Sequence, residues 1–480
     1  MSHSRVTLSK RLMQTFSNQN NLPRLPIPPL KESLNYYLQS VQAIQGNQES
    51  IQKTAANIDA FFPVGTKLRD LLSRYDKQQP NSWLERIWLD KAYNIWRVPI
   101  AINVNWWTQF QDVKSDSEDP QSNRAAALTH GLLQMNNLIN KQLLPPEQTK
   151  NGQFMCMNQL KCVFQAYRTP LNPIDETRTI WPTTSDYIVV LVKNQIYKLP
   201  VHPSLSISDL KADFINILKY SIDKVQPHVG IFTAGDRGEW AKLYKDLSKN
   251  DTNKLSLATI KNALFAVALD DHTSDNKITA LHHIFHNFGQ NRWFDLGLTI
   301  VLDKNGRAGC NGEHSPCDAI VPANMFDYIL KHEKTANVQP TQKTPNFKHL
   351  EFDFDDSASI SKATENTRNY CSQIQVELLH FSDYGADFIK SSAKASPDAF
   401  VQLVLQLSYY KTHLQVEATY ESASTRLFKH GRTETCRSAS KEMVEFVSNF
   451  YDKPVINQVN VGNRTMVNGR KTITSPCTAT

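Results

Sequence analysis

The 480-residue sequence predicts a mixed fold, α/β or α+β, and three observations carry that reading. Short β-branched runs bounded by turn residues, such as Ile188–Val192, Val229–Thr233 and Leu298–Leu302, have the length of buried strands. Between them lie segments with apolar residues at helical spacing, for example Leu34, Tyr37, Leu38 and Val41, and Leu210, Phe214, Ile217 and Leu218. No internal repeat of ~20–50 residues is visible, which sets aside solenoids and propellers. Strands interleaved with helices of mixed length belong to layered α/β or α+β architectures.

The elements follow in order. Asn21–Leu38 opens with Pro23, Pro26, Pro28 and Pro29, which fix φ and remove backbone donors, so an extended entry precedes a helix. Ser82–Ile95 is expected to be helical, with Trp83, Ile87, Trp88, Ala92 and Ile95 on one face, and Ser82 and Glu85 fit a capping box after Pro80. Asp186–Val201 predicts a hairpin turning at Lys193-Asn194-Gln195. Leu350, Phe352 and Phe354 alternate with Glu351, Asp353 and Asp355, the pattern of a half-exposed strand. Ser396, Pro397 and Asp398 open a helix with an N-cap, a first-turn proline and an acid near the positive end. Its continuation, Ala399–Tyr410, is apolar nearly all round and is expected to be buried. Lys334–Lys348, polar with two prolines, reads as a linker. Residues 1–20 read as a flexible N-terminal segment. The basic bias before Glu32, with Leu8, Leu12 and Phe16 a turn apart, is also compatible with a mitochondrial presequence.

Composition removes several function classes. Hydrophobic residues make up 40% and charged residues 21%, a globular balance that excludes a disordered or fibrous chain. The longest apolar run, Ala263–Leu269, falls well short of the ~18 residues a membrane helix needs, so no transmembrane segment is expected. A net charge of +7 is spread thinly and contains no Lys/Arg block, so nucleic acid is not an expected partner. Seven scattered cysteines read as reduced thiols. Cys310, His314 and Cys317 mimic a metal spacing but supply only three ligands, and no metal site is expected.

Three stretches carry the candidate chemistry. In Arg292–Ile320 a buried strand and a Lys304-Asn305-Gly306 turn lead into a glycine-punctuated loop carrying His314, with Asp318 four residues on. A histidine so placed suits a general base, a role worth ~10²–10⁴ in rate, and Asp318 suits orienting its ring or stabilising the imidazolium. Spacing alone does not separate this from an ordinary loop histidine. His282, His283 and His286 form a second cluster; without an acidic third ligand nearby they read as helix-face histidines. Tyr420–Arg437 holds one tyrosine, five Ser or Thr residues and three arginines, a composition suited to a small polar anion or to a solvated turn.

Together these segments resemble the choline/carnitine acyltransferase family. The likeness rests on LPIPPLKESLNYYL, WLDKAYNIWR, CMNQLK, RWFD…NG…GEHSPCDA and SPDAFVQ…YESASTRLFKHGRTET, in that order, and covers roughly residues 21–447. It implies two α/β domains similar to chloramphenicol acetyltransferase, meeting over an active-site tunnel. One domain would span 76–352 and carry His314; the other would be discontinuous, from 21–75 and 353–447. The family continues well beyond the matched region, so the second domain is expected to be incomplete, with residues 448–480 an unmatched tail. The absent part would supply an arginine for the carnitine carboxylate and a Ser-Thr-Ser segment for the oxyanion.

The implied reaction is reversible transfer of an acyl group, acetyl or another short chain, between coenzyme A and carnitine. His314 would be the base and Asp318 its acidic partner. Tyr420, Ser422 and Thr433 match positions that bind the carnitine carboxylate. The choline-specific branch lacks a hydroxyl at the position of Thr433, which favours carnitine over choline. Lys390, Lys394, Asp398 and Ser424 fall in the coenzyme A site, while a second phosphate lysine of the family falls on Ala386. That departure leaves a non-catalytic acyl-CoA-binding remnant as the alternative. Coenzyme A or acyl-CoA would be a co-substrate, with no resident cofactor. A monomer is expected, in mitochondrion or peroxisome, with the cytosol as a further option.

Overall fold

The computed structural model describes residues 14–114, 116–221, 227–333 and 337–450. Two compact units are drawn from the chain. The first comprises Met1–Gln19, Arg86–Gln148 and Met157–Leu378; the second comprises Asn20–Glu85, Thr149–Cys156 and Leu379–Thr480.

A seven-stranded mixed sheet organises the first unit. Its strands are β1 (Asn105–Gln109), β4 (Tyr187–Val192), β5 (Gln195–Pro200), β6 (Ala266–Leu269), β7 (Thr299–Leu302), β8 (Ala308–Glu313) and β9 (Lys348–His349); a separate pair joins β2 (Ala166–Thr169) to β3 (Glu176–Thr179). The order is β1-β8-β7-β6-β4-β5-β9, with β4–β6 and β6–β7 parallel and the other pairs antiparallel. The parallel centre explains the unbroken apolar runs, because strands covered on both faces need apolar residues at every position. Ile188, Val190, Val267, Leu269, Ile300 and Leu302 enter one core with residues of the helices Pro120–Asn140, Ile207–Tyr220 and Ile320–Lys331. Val189, Leu191, Ala266, Ala268 and Val301 enter a second core with Trp240, Leu257, Ile260 and Trp293. The β4–β5 hairpin turns on Lys193 and Asn194, both at positive φ, which matches the twist of the strands it joins.

Among the described residues the second unit is helical apart from one hairpin, β10 (Tyr420–Ser424) with β11 (Thr433–Arg437). Gly46, at φ 57°, ends the helix Leu30–Gln45, and Asn47 then caps Gln48–Gln78 by accepting from the backbone N–H groups of Glu49 and Ser50. Leu403, Met443, Phe446 and Val447 form a small core where Pro397–His413 meets Lys441–Asn449.

Several sequence expectations are corrected. Val229–Thr233 is not a strand but a 3-10 turn, Val229–Ala234, closed by the Thr233 hydroxyl on Gly230 O. Leu350–Asp355 keeps its alternating burial without a strand, because the Ser256 and Asn253 side chains take the Glu351 and Asp353 carbonyls. Ser82–Ile95 breaks into a short α-helix, Leu84–Trp88, and a π-helical turn, Leu89–Asn94. Ser82 Oγ accepts from Leu84 N–H, while Glu85 turns instead to Asn81 and His430. In the helix Pro397–His413, Val401, Val404 and Leu405 are exposed, since its buried residues Ala399, Leu403 and Gln406 lie along one side. Residues 353–378, expected in the discontinuous domain, lie in the first unit, where Ser357–Cys371 packs on Val229–Ala234 and Asn287–Gly289.

Of the expected flexible N-terminal segment, 1–13 lie outside the described residues. Thr15 is fully buried, its N–H donating to Gln142 O and its hydroxyl to Leu144 O. The expected tail lies outside them from residue 451, as do 334–336 of the expected linker. The linker's continuation is tied down by the buried Lys211 ammonium, which donates to Asn337 Oδ1 and Val338 O.

Candidate active site

The candidate base is delivered by a strand where sequence reading expects a loop. β8, Ala308-Gly309-Cys310-Asn311-Gly312-Glu313, is buried throughout and pairs with both β1 and β7. Small residues are required there. A Cβ on Gly309 would lie 2.4 Å from Thr108 O, and one on Gly312 would lie 2.2 Å from the Trp106 ring. Burial raises the Cys310 thiol well above its ordinary range, which makes it an inert core residue.

His314 follows directly. Its N–H donates to Val104 O at 3.0 Å, which continues the β1–β8 ladder by one residue. Its Nδ1 lies 3.1 Å from the Tyr93 hydroxyl, with the two ring centroids 5.3 Å apart. Asp318 is buried just before the helix Ile320–Lys331. Gln159 holds it at two points: the Asp318 N–H donates to Gln159 Oε1 at 2.7 Å, and Gln159 Nε2 donates to Asp318 Oδ2 at 3.0 Å.

Glu313 points to the opposite side of the strand, into a buried ionic network. Arg168 Nη1 reaches Glu313 at 3.1 Å and Arg168 Nε reaches Asp175 at 3.0 Å; none of these side chains is exposed. Asp175 also meets Arg97 and Arg237, and Arg237 meets Asp295. Three arginines thus face three carboxylates, so the network is neutral as a whole and satisfies the pairing that buried charge requires. Burial opposes the charge on Arg237, but Asp295 and Asp175 outweigh it and raise its pKa.

In the second unit the register of β10–β11 assembles the hydroxyl residues. Tyr420 faces Arg437, Ser422 faces Thr435 and Ser424 faces Thr433, and all six lie on one face because side chains alternate along a strand. That face is open: Tyr420 is 63% exposed, and Ser422 and Ser424 are exposed as well. Arg426, by contrast, is buried with its Nε on Cys156 O. Asp398 belongs with the other face of the hairpin, beside Glu421. Burial raises the Glu421 carboxyl, and Asp398 adds to the effect. Lys390 is exposed on the short helix Ala386–Ser391, with Ala386 one turn before it, and Lys394 follows at φ 49°.

The structure therefore brings Tyr420, Ser422, Ser424 and Thr433 together, and sets Asp398 apart from them. Sequence reading does not single out Tyr93, Gln159, Arg168 or Arg437. Tyr93 and Gln159 do lie within WLDKAYNIWR and CMNQLK, which is the one signal that marks them. Among the described residues, no group of three or more His, Cys, Asp or Glu side chains is arranged to hold a metal ion, and no helix is long and apolar enough to cross a membrane.

Residues 25–468 match the family described as choline/carnitine O-acyltransferase. The chain belongs to this family. Mouse carnitine O-acetyltransferase is 33% identical over 472 residues, covering 93% of this chain and 74% of that protein. The human carnitine O-acetyltransferase is 31% identical, covering 94% and 75%. Mouse choline O-acetyltransferase is also similar, at 31% identity with 90% and 71% covered. Membership makes the chain an acyl-CoA-dependent acyltransferase that moves an acyl group between coenzyme A and a hydroxyl acceptor. The match extends past Val447, where the likeness read from the sequence ends.

Proposed function

We propose that this acyltransferase uses carnitine as its acceptor, carries acetyl or another short acyl group, and employs His314 as the general base. The observation that carries the reading is the setting of His314, anchored by its backbone at the end of a buried strand and with one ring nitrogen against Tyr93. In the forward direction the imidazole takes the proton of the carnitine hydroxyl as its oxygen attacks the thioester carbonyl. The C–O bond forms, a tetrahedral oxyanion collapses, the C–S bond breaks, and the imidazolium returns the proton to the CoA thiolate. In reverse, the thiol needs the same base, since a group of pKa ~8.5 is only a few per cent ionised near neutrality. Asp318 stabilises the imidazolium electrostatically, held in place by Gln159.

Carnitine is favoured over choline by the open face of β10–β11. Tyr420, Ser422, Ser424 and Thr433 offer hydroxyl donors, and Arg437 adds a positive charge. Carnitine presents a carboxylate to such a surface and choline does not. Lys390 and Lys394 supply cations for the phosphates of coenzyme A. Ala386, where resemblance places a second phosphate lysine, supports a weaker reading as an acyl-CoA-binding protein without turnover.

The deciding experiment measures CoA release from acetyl-CoA with carnitine, with choline and with neither. Carnitine-dependent release that disappears in His314→Ala supports the proposal. Choline-dependent release overturns the acceptor assignment. Binding of acetyl-CoA without turnover transfers the case to the remnant.

A further inference from the structure

Tyr93 is buried and is the penultimate residue of a six-residue π-helical turn, Leu89–Asn94, a rare local structure that needs support from its surroundings. Its hydroxyl lies 3.1 Å from His314 Nδ1. The two residues are 221 positions apart, yet the backbones carrying them are clamped twice. On one side the fully buried Arg168 guanidinium donates to Tyr93 O at 2.8 Å and to Glu313 Oε1 at 3.1 Å, so one planar group fixes Tyr93 and the residue preceding His314. On the other side Ser315, the residue following His314, meets the Thr177 hydroxyl at 2.7 Å, and Thr177 donates to Asn94 Oδ1 at 2.8 Å. Glu313 Oε2 closes the ring by accepting from the backbone N–H of Ser315, which leaves the Ser315 hydroxyl to donate to Thr177. Residues 313 and 315 are thus tied to residues 93 and 94, and the Tyr93–His314 distance is set by several bonds at once.

A neutral imidazole carries one N–H and one lone pair, and the partner of one nitrogen decides which is which. We propose that Tyr93 is a positioning residue for the base: its hydroxyl oxygen accepts from Nδ1–H of His314, which leaves the Nε2 lone pair for the substrate proton. The inference rests on the reading of His314 as the base. The Nδ1–H bond persists when Nε2 gains a proton and strengthens as the ring becomes charged, so the site needs no rearrangement during transfer. The charged groups around this arrangement include Glu313 at the end of β8, engaged by Arg168, Asp318 on the loop after His314, engaged by Gln159, Asp175, which shares Arg168, and Asp90 on the π-helical turn, which meets Asn94 and Arg86.

The test has two independent readouts. Nitrogen-15 NMR of histidine-labelled full-length protein, assigned with His314→Ala, reports the tautomer of His314 without reference to activity. The Nδ1–H form is expected, and a dominant Nε2–H form overturns the proposal. In Tyr93→Phe, kcat should fall roughly 10–100-fold, part of the ~10²–10⁴ that a general base contributes. KM for acetyl-CoA should be unchanged, and the acid limb of the pH–rate profile should move to lower pH, because the lost acceptor favoured the imidazolium. A Tyr93→Phe enzyme with unaltered kcat and profile overturns the positioning role. Full activity in His314→Ala overturns the base assignment itself, whatever the tautomer, so the two failures are distinguishable.

Discussion

Arg168 and Glu313 meet at 3.1 Å with neither side chain exposed, and the bond joins the short β2–β3 pair to the residue immediately before His314. Isolated buried ion pairs add little net stability, but removing one partner strands the other charge in a low-dielectric interior. Arg168→Met should therefore cost about 3–5 kcal/mol, because Glu313 loses its arginine and Asp175 loses one of its three arginine partners. Glu313→Gln, which keeps the shape and one acceptor, should cost less. Calorimetric unfolding of the two variants checks the order. An Arg168→Met protein as stable as the parent would mean that the network tolerates loss of its central cation.

The contact between Trp106 and Gly312 gives a second expectation. The residues are cross-strand partners, and any Cβ at 312 would enter the indole ring. Gly312→Ala should destabilise by about 1–3 kcal/mol through overpacking and should lower acyl transfer more than stability alone explains, since His314 lies two residues on. Trp106→Phe in the same chain should recover part of the loss. A double-mutant cycle measures that coupling, and strictly additive effects would show that the contact is not the cause.

How much of this was legible in the sequence depended on distance along the chain. The β4–β5 hairpin and the helix carrying Leu210 and Phe214 are local patterns, and both are present. Val229–Thr233 has strand composition, but its backbone closes on itself between Pro227 and Gly235, a choice made by packing on Trp293 and Phe294 rather than by propensity. His314 could be picked out because a histidine and an acid share one short loop. Arg168 could not: its bonds reach Tyr93, Trp96, Asp175 and Glu313, and only register and topology bring them together. The clustering of Tyr420, Ser422, Ser424 and Thr433 is intermediate, a local composition that acquires one face only when β10 pairs with β11.

The helix Ala386–Ser391 offers a direct test of the coenzyme A reading. Ala386 and Lys390 are four residues apart, so a lysine at 386 would share a face with Lys390. Ala386→Lys should lower KM for acetyl-CoA several-fold at low ionic strength, with the gain fading as salt screens it. Lys390→Ala should raise KM, and KM for carnitine should not respond to either change. If neither substitution alters KM for acetyl-CoA, the phosphates bind elsewhere.

The histidines away from the site predict an acid-sensitive fold. His228, His283 and His286 each have a pKa lowered to about 4, in every case chiefly by burial. For His283 the neighbouring His272 adds to the effect, and for His286 the neighbouring His282 does. His286 Nδ1 also accepts from the Phe288 N–H at 3.0 Å, a bond that a proton on that nitrogen would break. A depressed histidine pKa means that the folded chain prefers the neutral ring. Stability from these groups is therefore complete above the unfolded pKa of ~6.5, is lost as pH falls toward 4, and changes little below that. Unfolding at pH 5.5 should accordingly take up about two to three protons per chain from these three residues, since the unfolded rings are mostly charged there and the folded ones are not. Calorimetry in buffers of different ionisation enthalpy measures that uptake, and a thermal midpoint that stays level from pH 7 to pH 4.5 would contradict it. Replacing His286 with glutamine, whose side-chain oxygen can still accept from Phe288, should remove about one of those protons and flatten the acid limb of the stability curve.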